Sequence, residues 1–509
     1  MTSASEQLLP LAIVGTILAA FVFVGLRHKT LAASEYDIRG RYTGRLGGGA
    51  AIASNWMSAA SFLGMAGLIY LYGYFALAYV IGWTGGYVLL LVLMAEQIRR
   101  FGKFTAPEFV GDRYASPAAR LIAAGVSIGI TVIYCIAQFK GIGIVFGWLF
   151  GVEYRTGVLI GVAILVSFIV LCGMLGVTRS QQFQYLVIIT AFILPLMYLA
   201  HRFGYFWVLP QFGYGAAMDE LATRFKIDMA APFAGGSLFQ WTSLCFTLMV
   251  GTAGLPHVLS RFYVVPNVRD ARWSVVWGLF FIALVYWSAP AYAVFARLME
   301  ARAGAIPDPA TARQLADGIV LTAARQGGVP PWLLGVLAAG AVSAAFFTTA
   351  GLLMTGAASF SHDIYASFIN RHATDRRKMS VAKSATLVLA GIVLLLALNP
   401  PGLIAEIAAT AFALAGNTIF PVFLLGIWWG RTNGHGAIAG MLTGIAVTFA
   451  APLLGSTFPL LSRLFPVTSS AFFGAPLVIL VIITVSLLTP PPDERMRRFL
   501  ADEVHGHLD

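Results

Sequence analysis

Apolar stretches of about 18 or more residues recur along almost the whole chain, and the charged residues fall between them. A helix of that length crosses a hydrocarbon core of about 30 Å. With 59% of its 509 residues hydrophobic and only 11% charged, the chain cannot cover a soluble surface. The lengths and spacings predict an all-α polytopic membrane protein, because an open sheet edge cannot be satisfied in lipid. About 13 candidate spans are expected, near 8–25, 48–70, 74–97, 121–150, 157–173, 181–200, 236–258, 273–298, 330–360, 380–398, 402–430, 434–454 and 470–488.

The formal charge of +11 does not call for nucleic acid as a partner, because the basic residues lie between spans and not on one soluble face. Of the 33 Lys and Arg, 23 fall in alternate loops: Arg27 to Arg45, Arg99 to Arg120, Arg179, Arg261 to Arg272, Arg371 to Lys383, Arg431, and Arg495 to Arg498. Basic residues collect on the cytoplasmic side. The expected location is therefore a bacterial inner membrane, with the N-terminus outside and the C-terminus in the cytoplasm. The first span carries Glu6 ahead of it and its cations Arg27 and Lys29 behind it, so it reads as a retained helix and not as a signal peptide. Cys135, Cys172 and Cys245 all lie in apolar runs, which speaks against disulfides, and no Cys/His spacing suggests a metal site. The loops at 201–235 and 299–329 are too short for a catalytic domain, and no zinc-protease signature or nucleophile–base pair is visible, so an enzyme is not expected.

Two spans are interrupted. The second holds Gly47-Gly48-Gly49 and then Ser54-Asn55-Trp56-Met57-Ser58-Ala59-Ala60-Ser61. The seventh holds Gly251-Thr252-Ala253-Gly254-Leu255-Pro256-His257, where two glycines and a proline weaken the helical ladder. Either alone reads as a packing kink. Five spans apart, they form the pattern of an inverted-repeat transporter with a midplane site. The expected organisation is an extra helix and loop over 1–46, a first repeat over 47–200, an external loop over 201–235, a second repeat over 236–430, two further helices over 431–490 and a cytoplasmic tail over 491–509.

The motifs resemble the sodium:solute symporter family, and within it the acetate and monocarboxylate permease branch. They are Gly251-Thr252-Ala253 leading into Gly254-Leu255-Pro256-His257-Val258-Leu259-Ser260-Arg261-Phe262; Asn55 through Gly64; Thr105-Ala106-Pro107-Glu108-Phe109; Ser361-His362-Asp363-Ile364-Tyr365; and Phe420-Pro421 through Gly426, Trp429 and Arg431 to Gly440. The likeness runs in order over nearly the whole chain. It implies a leucine-transporter-like core of 5+5 inverted repeats, alternating access, and sodium or in some members protons as the coupling ion. No cofactor is implied beyond a Na+ ion. Monocarboxylate members are sometimes encoded beside a small companion membrane protein, which makes one a candidate partner besides the small organic acid and the bilayer.

By that resemblance the cation ligands are the carbonyls of Ser54, Met57 and Ala344 and the hydroxyl of Thr348, one helical turn after Ala344. Position 347, a hydroxyl in sodium-coupled members, is Phe347, which removes a ligand and adds bulk. Ser180-Gln181-Gln182 stands where such members often carry an acidic residue. The candidate substrate-binding residues are Ser58, Ser61, Gln138, Lys140 and Thr252. Gly251, Gly254, Pro256, His257 and Arg261 are candidates for gating or structural roles; His257 reads first as a packing hydrogen-bonder and Arg261 as an anchor at a cytoplasmic end.

Lys140 is the most unusual residue. It lies inside the fourth span with no charged residue within about twelve positions on either side, where a lone lysine costs about 2.5–3.5 kcal/mol. Besides snorkelling, two roles stand open. It attracts a substrate carboxylate, or it takes the place of a missing sodium ion and cycles its proton, since burial lowers a lysine's pKa. Trp56 and Trp241 suggest an aromatic wall, Asp363 a cap or ion pair, and Glu406 an interfacial residue. The functional expectation is cation-coupled symport of a small monocarboxylate such as acetate, propionate, pyruvate or lactate. The alternatives are a carrier of proline, pantothenate, urea or another small polar solute, a proton-coupled carrier, and a membrane subunit that senses a solute without moving it.

Overall fold

The computed structural model describes residues 4–27, 45–101, 105–262, 268–455 and 466–505, and among them the regular structure is all helix, with no strand. The helices are α1 (Ala4–Arg27), α2 (Arg45–Trp56), α3 (Met65–Tyr72), α4 (Leu77–Leu93), α5 (Ala95–Phe101), α6 (Ala106–Arg113), α7 (Pro117–Phe150), α8 (Tyr154–Arg202), α9 (Pro210–Phe225), α10 (Leu238–Gly254), α11 (Pro256–Phe262) and α12 (Val268–Ala303). They continue with α13 (Pro309–Ala316), α14 (Ile319–Gln326), α15 (Pro331–Ala358), α16 (Asp375–Ala397), α17 (Ile404–Asn417), α18 (Ile419–Trp428), α19 (Gly434–Gly455), α20 (Ala471–Leu488) and α21 (Glu494–Phe499).

Local chemistry sets the boundaries. Ser116 caps α7 by accepting the Ala119 N–H, Pro117 follows at the first helical position, and Gly151 ends the helix at φ +66°. Ser237 and Gln240 form a capping box at the start of α10.

Ten helical segments among the described residues are long and apolar enough to span a membrane. The expected spans near 48–70 and 236–258 are interrupted, and the one near 434–454 is a shorter apolar helix. The expected fifth and sixth spans fall within α8, as the apolar segments Tyr154–Cys172 and Phe183–Arg202. The Tyr154 hydroxyl donates to the Ala397 carbonyl, and Arg202 lies against Gly328, so both ends of α8 reach the side from which α15 enters. That side is called here the opposite side; the other, which carries Arg99, Arg100, Arg120, Arg371 and Arg376, is the basic side. The loops expected over 201–235 and 299–329 contain α9, α13 and α14.

The interrupted helices sit at the centre and cross-pack. Helix α2 lies on α12 and α8, and α10 lies on α4 and α17. Close approach is made by missing side chains. A Cβ at Gly251 would fall on the Phe412 carbonyl, and one at Gly254 would lie 2.6 Å from the Ala415 oxygen, so α10 meets α17 backbone to backbone. Helix α15, buried on almost every face, packs on α1, α7 and α8 and brings Ala344 and Thr348 to the level of the first break.

Candidate functional site

Helix α2 ends at Trp56. Met57 and Ser58 leave the helix, and a π-helical turn over Ala60–Gly64 leads into α3. Two backbone donors are redirected there. In an unbroken helix the Ala59 N–H would go to the Asn55 carbonyl and the Ser61 N–H to the Met57 carbonyl. Instead Ala59 donates to Gln138 Oε1 at 2.9 Å, and Ser61 donates to Ser58 Oγ at 3.4 Å. The Met57 carbonyl faces α15, where Thr348 Oγ1 lies 3.5 Å away. Two oxygens each about 2.4 Å from a hard cation and at right angles around it stand about 3.4 Å apart. The donor chemistry at Met57 and Thr348 therefore fits an alkali cation.

Phe347 contributes no oxygen, and its ring turns toward α1 and α8. It meets Phe21 edge-on at 5.1 Å and Phe168 at 5.4 Å. The expected bulk is thus packed against those two rings. Behind the break, Ser54 Oγ donates to Gln184 Oε1 at 2.9 Å, and Gln184 Nε2 donates to the Ser343 carbonyl at 2.7 Å. The side chains of Gln181 and Gln182 lie outside the described residues; Ser180 donates to the Phe21 carbonyl.

Aromatic rings close the break from the other side. Trp56 meets Tyr87 at 4.7 Å and Phe412 at 5.7 Å; Trp83 packs on Tyr286 and Phe412; and Tyr134 meets Phe412 and His257. The Tyr286 hydroxyl accepts from Trp56 Nε1 at 2.9 Å and shares a hydrogen bond with Ser61 Oγ at 3.0 Å; the Tyr134 hydroxyl donates to Ser58 Oγ. Two buried donors in this region, Trp83 Nε1 and Gln138 Nε2, find no partner among the described residues. Trp241 belongs elsewhere, stacked on Tyr74 beside Phe233, so it forms no wall with Trp56.

The second break lies at Leu255, extended between α10 and α11, with Pro256 opening the next helix. The Thr252 hydroxyl donates to the Leu248 carbonyl of its own helix at 2.7 Å, and its Cβ packs on Gly86. His257 is buried against Tyr134, and the side chain of Arg261 lies outside the described residues.

Lys140 has an acidic partner. Its ammonium donates to Asp317 Oδ2 at 2.6 Å and to the Gly402 carbonyl at 2.7 Å. Asp317 joins α13 to α14 and also accepts the Ile404 N–H at the start of α17. Burial pushes its carboxyl pKa up, against the lowering pull of Lys140. Beside Lys140 opens a cavity of about 470 Å³, also lined by Glu153, Tyr154, Arg155 and Asn399. Arg313 and Glu406 pair at 2.6 Å and tie α13 to α17 a second time. On the basic side Asp363 pairs with Arg120 at 2.7 Å and accepts from Thr105.

The family model of the sodium:solute symporters matches residues 36–444. The chain belongs to the sodium:solute symporter family. An uncharacterized symporter of Cupriavidus necator is 31% identical, over 93% of this chain and 90% of its own length. The uncharacterized symporter YwcA of Bacillus subtilis is 32% identical, over 92% and 89%. A solved Na+-coupled sialic acid symporter, in a substrate-bound outward-open state, shares 16% identity at a TM-score of 0.76, over 96% of this chain and 99% of its own. MhsT in complex with L-phenylalanine shares 15% at 0.53, over 88% and 99%. At these identities the likeness shows the fold, that of leucine-transporter-like carriers.

Of the expected residues, the structure brings Met57, Ser58, Ser61, Gln138 and Thr348 together and sets Ser54 just behind them. Sequence reading passed over Gln184, Tyr134, Tyr286, Trp83, Phe412 and Asp317. None of them left a local signal; Asp317 is one of several acidic residues in its loop.

Proposed function

We propose that this symporter is a secondary active transporter that couples a cation, Na+ or H+, to the movement of a small monocarboxylate such as acetate, propionate, pyruvate or lactate by alternating access. The observation that carries the reading is the 3.5 Å approach of Thr348 Oγ1 to the Met57 carbonyl, one from each expected repeat. Met57 and Thr348, with the carbonyls of Ser54 and Ala344, would hold the cation, which would supply positive charge to the Met57 carbonyl, whose helical donor Ser61 turns to Ser58. A site shared by two repeats changes when they rock against one another.

For the cargo, the rings around Trp56 carry no charge and would offer an apolar lining to a small acid. Gln138 Nε2 and Trp83 Nε1 are neutral donors that a carboxylate would satisfy. Lys140 is read as a structural cation, because its ammonium already serves Asp317 and Gly402. Phe347 favours one variant of the reading. With one hydroxyl fewer, the cation site is weaker for sodium, and proton coupling becomes the competing mode.

The basic side is read as cytoplasmic and the membrane as the bacterial inner membrane. Uptake of labelled short-chain acids into proteoliposomes, with sodium and proton gradients imposed separately, tests the proposal. Accumulation driven by either gradient is expected. Failure to take up any short-chain acid overturns the monocarboxylate reading, and displacement of the bound ligand by proline or pantothenate but not by acids transfers it to another solute.

A further inference from the structure

We propose that Gln184 is a positioning residue for the cation site, a neutral brace that sets the spacing between the break after α2 and helix α15. The inference rests on the cation-coupled reading above and adds to it a residue that does not touch the ion.

The brace has two arms. Ser54 Oγ donates to Gln184 Oε1 at 2.9 Å, and Gln184 Nε2 donates to the Ser343 carbonyl at 2.7 Å. Ser54, Gln184 and Ser343 are all fully buried, so water cannot replace either arm. The two anchored residues bracket the oxygens of interest. Ser54 stands three residues before Met57, and Ser343 immediately precedes Ala344 and lies five before Thr348. A shift of α2 against α15 that lengthens either arm also changes the 3.5 Å separation of Thr348 Oγ1 and the Met57 carbonyl. The backbone that carries Gln184 is itself pinned. One turn earlier Ser180 donates to the Phe21 carbonyl of α1, and the next residue, Tyr185, donates to the Phe281 carbonyl of α12.

The chemistry explains an amide here. The Ser343 carbonyl only accepts, so the group facing it must donate. The Ser54 hydroxyl, free to rotate, donates to the remaining oxygen. A carboxylate would set two acceptors face to face at Ser343, and an apolar side chain would strand the Ser54 hydroxyl. Because the brace carries no charge, it orders the oxygens without competing for the cation.

The test compares the transport of a short-chain acid by wild type, Gln184→Met, Ser54→Ala and Thr348→Ala in proteoliposomes, titrating the coupling cation at saturating acid and the acid at saturating cation. Gln184→Met keeps length and bulk and removes both arms; Ser54→Ala removes one. The expected result is a roughly tenfold loss of apparent cation affinity in Gln184→Met, with the apparent KM for the acid at saturating cation within about twofold. Ser54→Ala gives a smaller loss in the same direction, and the double variant is no worse than Gln184→Met alone, as coupled sites require. If Thr348→Ala weakens the cation dependence while Gln184→Met and Ser54→Ala leave it unchanged, the brace is overturned and the cation site stands. If Thr348→Ala has no effect either, or wild type ignores both gradients, the cation-coupled reading fails and the brace with it. Should Gln184→Met not fold, Ser54→Ala decides between these outcomes.

Discussion

The Lys140 ammonium donates to the Asp317 carboxylate at 2.6 Å across a sequence separation of 177 residues. The pair joins three elements: α7, the connection between α13 and α14, and the start of α17, which adds the Gly402 carbonyl and the Ile404 N–H. Removing one partner leaves a buried charge alone and is expected to cost about 3–5 kcal/mol. Removing both charges together costs much less. Lys140→Met with Asp317→Asn is the informative double variant, because asparagine still accepts the Ile404 N–H. Thermal unfolding of the four proteins in detergent gives the coupling. Additive losses would mean that the two charges do not depend on each other.

What the sequence disclosed and what it hid follow from the range of each interaction. The breaks at Met57–Ser58 and at Leu255 were legible because small residues, glycines and a proline act on the local ladder wherever they occur. Lys140 was conspicuous because an intramembrane charge is costly alone, yet its partner was not legible, since Asp317 sits among ordinary loop charges until the fold buries it. Gln184 lies two residues beyond the Ser180-Gln181-Gln182 segment in which an acid was sought, and nothing local separates it from Gln181 and Gln182. The added bulk of Phe347 was legible, but where its ring packs was not, because its contacts with Phe21 and Phe168 depend on helices remote in sequence.

Trp83 and Gln138 separate binding from folding. Trp83 Nε1 has no partner among the described residues, so Trp83→Phe removes no hydrogen bond to them. It is expected to weaken acid binding about three- to tenfold, the effect of one neutral hydrogen bond, with only a packing loss in stability. Gln138→Leu also strands the Ala59 N–H, so it is expected to lower stability by a further 1–3 kcal/mol, roughly, as well as affinity. Unfolding temperatures with and without a short-chain acid read both effects at once, because a ligand stabilises in proportion to its binding. An undiminished ligand shift in Trp83→Phe would remove that indole from the substrate site.

The approach of α10 to α17 makes a prediction that needs no assumption about cargo. A Cβ at Gly254 would stand 2.6 Å from the Ala415 oxygen and 3.0 Å from the Phe420 nitrogen, and one at Gly251 would meet the Phe412 carbonyl. These are backbone atoms, which cannot turn aside as a side-chain tip can. Gly251→Ala and Gly254→Ala are each expected to destabilise the protein by about 1–3 kcal/mol, by forcing the two helices apart beside the second break. Gly125 and Gly391 supply the contrast, since a Cβ at either meets nothing within 4 Å. Alanine there is expected to be neutral or stabilising by up to about 1 kcal/mol, through helix propensity alone. Thermal unfolding of the four variants distinguishes contact from propensity. Equal shifts at all four positions would show that the glycines of α10 are not where two backbones touch.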